Sequence, residues 1–473
     1  TYEGVACIKL KSDFVIDRRL SDRSMSVHWK DAGLNVDRWV RGSPLFGEIS
    51  RERDFLFLPE YAKIADFQPS NSPNGDSIYV NTSEPFCAVT VGVQGAGKSH
   101  TTNVLIESCM INAPPLIRLK KPMAALVFHF DQSEDSRCEA TTLTQPFIDV
   151  NSNSQSSSGV VKEMLILVSP SNYFKRKEFY KDLPNSRVIP LLFDFPKLGA
   201  IEIKQLMGVQ RGSTQLYMTV ILTALRRREK RATSHRWTLR EFIEEINSNP
   251  DFMTSQKGPL QQRLELLNSF MVESKENQAI LEDFGHPVDV SALFAPGRMV
   301  VADLTDPLID QADANRVFQV VLGMFCKAPN LEGKLVVLDE AHKYLEVHSG
   351  DLCFDVLRLV RQMRHYKGGM RLIVSTQNPE VLHRELFELA SFVVLHRFSS
   401  PDWFRHLKMK IPLPALSKVA ICGLNTGEAL LYSPTAKIYY PPHQAVFGTN
   451  LYKVFIRKRL TLDCGASGIN YAE

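Results

Sequence analysis

The chain has 473 residues, which is enough for one large domain with insertions or for two to three domains. Its 44% hydrophobic and 23% charged residues are typical of an ordinary soluble globular protein, and the net charge of +4 permits nucleic-acid binding without requiring it. The eight cysteines form no C-x-x-C pair, which argues against a zinc ribbon or a disulfide framework. We predict no membrane span because no run of about 18 apolar residues exists. The scattered cysteines suit a reducing compartment, so we predict an intracellular protein, with nucleus and cytoplasm not distinguished.

Apolar runs of strand length recur along the chain and are separated by segments of helical spacing. This alternation predicts an α/β fold with a mainly parallel sheet covered by helices on both faces. The predicted strands are 86–91, 124–130, 164–168, 188–193, 299–302, 335–338 and 372–375. Leu216, Val220, Ile221, Ala224 and Leu225 fall at helical spacing, as do Leu260, Leu264, Leu267 and Met271.

These patterns divide the chain into three predicted regions. Residues 1–85 form an N-terminal region to which we assign no chemistry. Residues 86–445 form the core, with a helical insertion at about 200–290. Residues 446–473 form a C-terminal tail.

A complete phosphate-binding loop follows the predicted strand 86–91 and precedes a segment, 101–106, that can open a helix. Successive backbone N–H groups of such a loop surround a phosphate, and the helix N-terminus adds partial positive charge. Lys98 can neutralise the β- and γ-phosphates, and the Ser99 hydroxyl can bind Mg²⁺. The predicted nucleotide-binding residues are Gly92, Val93, Gln94, Gly95, Ala96, Gly97, Lys98, Ser99 and His100.

Two adjacent carboxylates, Asp339 and Glu340, end the predicted strand 335–338. Because ligands bind beyond the carboxyl ends of parallel strands, we expect both at the nucleotide. Asp339 is the predicted second Mg²⁺ residue, acting through water together with Ser99. Glu340 is the predicted catalytic residue that orients and polarises the attacking water. The adjacent glutamate, and the absence of an N-K-x-D sequence, favour ATP over GTP.

Polar residues also end the strand 372–375. The amide of Gln377 can contact the γ-phosphate or its water there, so we predict a sensor role for this residue.

The order of these motifs resembles the HerA/FtsK group of P-loop ATPases over roughly residues 86–445. The further pieces that carry the resemblance are 295–304, 366–377, 392–397 followed by Pro401-Asp402, Asp131 with Glu134, and 424–430. The resemblance implies a RecA-like sheet, a homo-oligomeric ring of six subunits, and ATP-driven movement of DNA or, in some branches, of other polymers. It also implies an arginine that reaches the ATP of the neighbouring subunit. Arg364 is the first candidate, Arg361 the second and Arg397 a third.

Two basic clusters could contact nucleic acid, at 226–231 and at Lys453 with 457–459, where Tyr452 and Phe455 are interleaved. A solvated helix end and a strand with one wet face are the alternatives. The sequence therefore favours an Mg²⁺-dependent ATPase motor acting on nucleic acid, DNA rather than RNA, with a protein partner such as a nuclease as a further expectation. The alternative is an assembly ATPase that scaffolds protein partners without translocation. A small-molecule kinase is disfavoured because such enzymes rarely carry the adjacent catalytic glutamate.

Overall fold

The computed structural model describes residues 42–47, 59–67, 77–147, 159–208, 216–231, 237–248, 254–345, 351–438 and 450–463. Within these ranges all strands join one 14-stranded mixed sheet. No helix in the described ranges is long and apolar enough to cross a membrane.

Eight neighbouring strands of this sheet are parallel. In spatial order they are β12 (Phe392–Leu395), β4 (Cys87–Val91), β11 (Met370–Thr376), β10 (Lys334–Leu338), β6 (Ala124–His129), β9 (Arg298–Asp303), β7 (Glu163–Val168) and β8 (Ser186–Pro190). The strand before the phosphate-binding loop is thus separated from the strand before Asp339 by one strand, β11. The predicted mainly parallel α/β sheet is confirmed.

The other six strands of the sheet are antiparallel. They are β13 (Glu428–Tyr432), β14 (Leu451–Ile456), β2 (Tyr61–Asp66), β3 (Ser77–Val80) and β1 (Leu45–Gly47), with the short β5 (Ile117–Arg118) beside β2. Four of them (β1, β2, β3 and β14) lie outside the predicted core at 86–445. The N-terminal and C-terminal segments meet where Phe455 pairs with Asp66. The sheet therefore continues across the predicted boundaries at residues 85 and 446.

Alternate residues of each parallel strand enter two separate hydrophobic cores, one on each face of the sheet. In β10, Val336 and Leu338 face one core, while Leu335 and Val337 face the other, and all four are fully buried. Continuous apolar strands are required for burial on both faces. This explains why the central strands show no polar alternation.

The helices cover both faces of the sheet, and the predicted covering is confirmed. Five of them lie between β8 and β9, within the predicted insertion. The described helices are α1 (Lys98–Met110), α2 (Tyr173–Phe179), α3 (Ala200–Leu206), α4 (Leu216–Arg231), α5 (Leu239–Asn247), α6 (Thr254–Ser269), α7 (Gln278–Phe284), α8 (Gln311–Lys327), α9 (Asp351–Gln362), α10 (Arg384–Glu388), α11 (Pro401–Lys408) and α12 (Ser417–Cys422).

Candidate nucleotide-binding and catalytic site

The phosphate-binding loop connects β4 to α1 at the carboxyl edge of the parallel strands. Its shape depends on glycine, since Gly95 and Gly97 have φ of 72° and 98°, a region that residues with a Cβ rarely adopt. The backbone N–H of Gly92 donates to the Thr376 carbonyl at 3.4 Å, and that of Val93 donates to the Arg397 carbonyl at 3.2 Å. The loop is therefore anchored to the ends of both strands that flank β4.

His396 lies directly beneath the loop and was not predicted. A Cβ on Gly92 would come within 2.7 Å of the His396 Cβ, so the loop can approach this closely only with glycine there. The imidazole is fully buried, and its Nε2 lies 2.9 Å from the hydroxyl of Thr101 in α1. Burial, with the nearby positive charges of Lys98 and His100, lowers the pKa of His396 to about 4. His396 is therefore a neutral packing residue at neutral pH.

Glu340 connects the loop to the neighbouring strands. One carboxylate oxygen accepts from the Lys98 ammonium, and the other accepts from the Gln377 amide at 2.7 Å. His342 Nδ1 lies 3.5 Å from this second oxygen and accepts the Gln377 backbone N–H at 3.3 Å. The structure thus brings together Lys98, Glu340 and Gln377, three predicted catalytic residues that are widely separated in sequence.

The backbone of Glu340 is strained. Its φ of 48° and ψ of 43° place a residue other than glycine in the left-handed region. Such a conformation costs about 1–2 kcal/mol and concentrates at functional positions. It directs the chain from β10 into the turn at Ala341–Lys343.

Asp339 occupies a buried, cation-rich position one residue earlier. Burial alone would raise the pKa of Asp339, but the cationic side chains of His129, Lys98 and Lys343 lower it below its usual range, so the group is a carboxylate. His129 Nδ1 lies 3.6 Å from Asp339 Oδ2, an electrostatic contact beyond hydrogen-bonding distance. Burial opposes protonation of His129, but the charges of Asp339 and Asp303 raise its pKa overall.

The residues predicted to hold Mg²⁺ fit that ion chemically. The Ser99 hydroxyl and the ionised Asp339 are hard oxygen donors, which Mg²⁺ prefers. Cys138 also lies close to Asp339 and His129. Burial and the charges of Asp339 and Asp303 raise the pKa of this thiol far above its usual range. Cys138 is therefore a protonated, poor metal ligand, and the oxygen donors define the candidate metal position.

The segment that follows β14 binds to α1. Glu107, fully buried in α1, accepts bonds from the Arg457 guanidinium at 2.7 Å and from the backbone N–H groups of Leu460 and Thr461 at 2.9 and 3.0 Å. His100, predicted to bind nucleotide, has its imidazole bonded to Asp463 at 2.5 Å and to the Arg457 carbonyl at 2.8 Å. The C-terminal segment is thus part of the support of the phosphate-binding loop.

These contacts correct the predicted basic cluster at 457–459. Arg457 and Arg459 are only 5% and 4% exposed, and Arg459 donates to the Thr142 hydroxyl at 2.6 Å. Tyr452 is also buried and packs on Phe67. Of the four cations in this predicted cluster, Arg457 and Arg459 are therefore structural, and only Lys453 and Lys458 are exposed.

The other basic cluster, 226–231, lies at the end of α4. Arg226 and Arg227 are exposed there, while the side chains of 228–231 lie outside the part of the chain that the structure describes. Arg227 is 3.3 Å from Glu245.

The three candidate trans-acting arginines occupy different places. Arg361 forms a two-pronged ion pair with Glu385, one contact being 2.6 Å. Arg364 is exposed, makes no ion pair with any residue in the described ranges, and precedes β11, at the edge of the sheet opposite the phosphate-binding loop. Arg397 is exposed beside the loop of its own chain. Arg364 therefore lies away from the phosphate-binding loop of its own chain.

Asp131 and Glu134, which contribute to the resemblance to the HerA/FtsK group, each form an ion pair with a lysine. Asp131 lies 2.6 Å from Lys343, whose bond and charge outweigh burial and lower the Asp131 pKa to about 2. Glu134 lies 2.6 Å from Lys175 and is exposed. Asp131 thus fixes the turn after Glu340, whereas Glu134 lies on the surface.

No protein-family model matches this chain, and no curated protein matches it by sequence. Among solved structures, VirB4 of Thermoanaerobacter pseudethanolicus is similar at 14% identity and a TM-score of 0.47, covering 81% of this chain and 97% of that one. The plasmid coupling protein TrwB, in complex with ADP and Mg²⁺, is similar at 13% identity and a TM-score of 0.43, covering 81% and 87%. The genome packaging NTPase B204 from Sulfolobus turreted icosahedral virus 2, in complex with ATP-gammaS, is similar at 18% identity and a TM-score of 0.24. The match covers 31% of this chain and 67% of that one.

At such identities and TM-scores the likeness assigns no activity, substrate or partner to this chain. The chain's own strand order and site residues define its class. It has a RecA-like, mainly parallel sheet in which β11 separates the strand of the phosphate-binding loop from the strand that ends at Asp339 and Glu340.

Proposed function

We propose that this protein hydrolyses ATP with Mg²⁺ at the loop formed by residues 92–99. The observation that carries the proposal is the bridge made by the Glu340 carboxylate between Lys98 and Gln377. This bridge places a candidate general base within reach of the phosphate-binding cation and of a polar sensor. Phosphoryl transfer depends mainly on such positioning and on charge compensation.

Each residue has a distinct proposed role. A bound triphosphate competes with Glu340 for Lys98, which frees the carboxylate to orient water, and Gln377 then reports the γ-phosphate. Ser99 and Asp339 hold Mg²⁺, which supplies charge neutralisation on the phosphates when bound. Backbone N–H groups of the loop that make no bond within the loop or to its flanking strands, such as those of Gly97 and Lys98, surround the phosphates, with the helix dipole of α1 behind them.

We further propose a ring of six identical subunits in which Arg364 completes the neighbouring site. The exposed position of Arg364 on the opposite edge supports this, as does the pairing that occupies Arg361. Exposed apolar side chains support self-association, because monomers rarely display many of them close together. Met409, Leu416 and Val419 are 65%, 61% and 74% exposed within a short stretch of chain.

The proposed polymer is nucleic acid, DNA in the first instance, moved by the ring. The exposed Arg226 and Arg227 at the end of α4 support a phosphate contact. Burial of Arg457 and Arg459 removes two of the four cations of the second basic cluster that favoured this substrate. This burial favours the second candidate, an assembly ATPase that scaffolds protein partners, with a nuclease among the possible classes.

The experiment measures ATP hydrolysis with Mg²⁺, alone and with single-stranded DNA, double-stranded DNA or RNA. Stimulation by one polymer, weakened by added salt and by Arg226→Glu with Arg227→Glu, would support the motor. A ring that hydrolyses ATP but ignores all three polymers at low salt would support the scaffold. No Mg²⁺-dependent hydrolysis under any condition would refute both.

A further inference from the structure

A second cavity lies far from the phosphate-binding loop, at the outer edge of the parallel strands. It has a volume of about 330 Å³, is open to solvent, and is bordered by α2, the start of β8 and the end of α7. β8 is six strand positions from β4 in the sheet, a separation of about 29 Å at about 4.8 Å a strand. A ligand in this cavity therefore shares no residue with the site described above.

The cavity is lined by cations and aromatic rings. Its cations are Lys177, Lys181 and Arg187, against one lining carboxylate, Asp283. Lys177 is engaged with Asp283 at 2.7 Å, and Asp283 also accepts the Tyr173 hydroxyl at 2.8 Å. Lys181 is likewise paired with Glu178, which leaves Arg187 as the lining cation without an ion pair to any residue in the described ranges.

Arg187 is the cation best placed to bind a ligand. Its guanidinium lies over the ring of Phe284, 4.7 Å from the centroid, and this stacking fixes the plane of the group. The side chain is exposed and forms no ion pair with any residue in the described ranges. Its N–H donors remain available, and a guanidinium plane binds phosphate oxygens in pairs.

The two features together select a ligand class. Aromatic rings and guanidinium planes stack on nucleobases, and cationic groups beside them bind the phosphate. The volume falls within the range of small-molecule sites. We propose that this cavity binds a nucleotide, either free or as one unpaired residue of a nucleic-acid strand. Arg187 holds the phosphate, and the half-buried ring of Phe284 contacts the base.

The test uses the full chain carrying Lys98→Ala, so that the phosphate-binding loop contributes little. Two probes are titrated by fluorescence anisotropy: a dye-labelled hexathymidylate, and AMP carrying a fluorescent group on its ribose. Each is measured with and without Arg187→Glu. Lys408→Glu is the control, because it makes the same charge change at another exposed cation. We expect Arg187→Glu to weaken binding about tenfold or more, and Lys408→Glu to change it less than twofold.

The two probes distinguish the sources of the ligand. If Arg187→Glu weakens binding of both probes, the cavity binds nucleotides in general. Loss of the oligonucleotide alone assigns it to a strand, and loss of the AMP derivative alone assigns it to a free nucleotide. Equal binding of both probes by Arg187→Glu and by the parent protein overturns the proposal. Displacement of both probes by inorganic phosphate as readily as by AMP overturns the base contact. The variant Phe284→Leu also tests the base contact, because it keeps the cations and removes the ring. It is used if it melts within about 2 °C of the parent, and unchanged binding of both probes would overturn the base contact.

Discussion

Acid should destabilise this protein through the histidine beneath the phosphate-binding loop. His396 is fully buried, and its pKa is about 4, against an ordinary value of 6.5. Because the folded-state pKa is lowered, the unfolded chain binds this proton more readily than the folded chain. The stability is therefore fully present above pH 6.5 and is lost progressively as the pH falls towards 4.

The size of the effect follows from the two pKa values. One pKa unit corresponds to about 1.4 kcal/mol, so the loss between pH 7 and pH 5 is about 2 kcal/mol from His396 alone. The variant His396→Gln retains a polar group for Thr101 but cannot titrate. It should be less stable than the parent at pH 7 and should lose about 2 kcal/mol less between pH 7 and pH 5.

Urea unfolding at both pH values, followed by tryptophan fluorescence, measures this difference. Histidine proton resonances provide a direct check, because one of them should titrate well below pH 5. The raised pKa of His129 acts in the opposite direction in both proteins, so its stabilisation cancels in the comparison. Equal acid sensitivity of the parent and His396→Gln would refute the buried, neutral assignment.

Three further results are expected. The free energy of unfolding of Glu340→Gly should exceed that of Glu340→Ala by about 1 kcal/mol, because glycine tolerates the left-handed backbone and alanine does not. Equal free energies in urea unfolding would show that the backbone at this position is not strained. Glu107→Ala should cost about 3–5 kcal/mol by leaving its buried arginine unpaired, whereas Glu244→Ala, in an exposed pair, should cost about 0.5 kcal/mol or less. Arg364→Ala should bind ATP normally but hydrolyse it about 10³-fold or more slowly, and mixing it with Lys98→Ala should restore activity. Mixed rings without rescue would exclude a trans role for Arg364.

Local sequence patterns identified the candidate catalytic and nucleotide-binding residues, but not the buried residues that pack around them. The phosphate-binding loop is continuous in the chain, and Asp339, Glu340 and Gln377 each follow an apolar strand, so local patterns were sufficient to name them as candidates, and the structure brings Glu340 and Gln377 together with Lys98. His396 and His129 also end strands, but nothing local distinguishes a buried histidine below a loop from one on the surface. Their roles depend on which strands are neighbours, and the sequence does not determine that order.

The terminal strands show the same limit. Residues 451–459 alternate cations with apolar residues, which is equally typical of a wet strand face and of a nucleic-acid surface. The partner that decides between them, Glu107, lies about 350 positions earlier in the chain. Pairing at such a distance is a property of the fold, so the predicted patch at Arg457 and Arg459 was wrong.

The central claim is tested most directly by Glu340→Gln, which retains the shape of the side chain and removes its basicity. Equilibrium binding of ATP and steady-state phosphate release should be measured on the same preparation with Mg²⁺. We predict that ATP affinity stays within a few-fold of the parent while hydrolysis falls about 10²- to 10³-fold. Hydrolysis at the parent's rate would contradict the assignment of Glu340 as the residue that activates water.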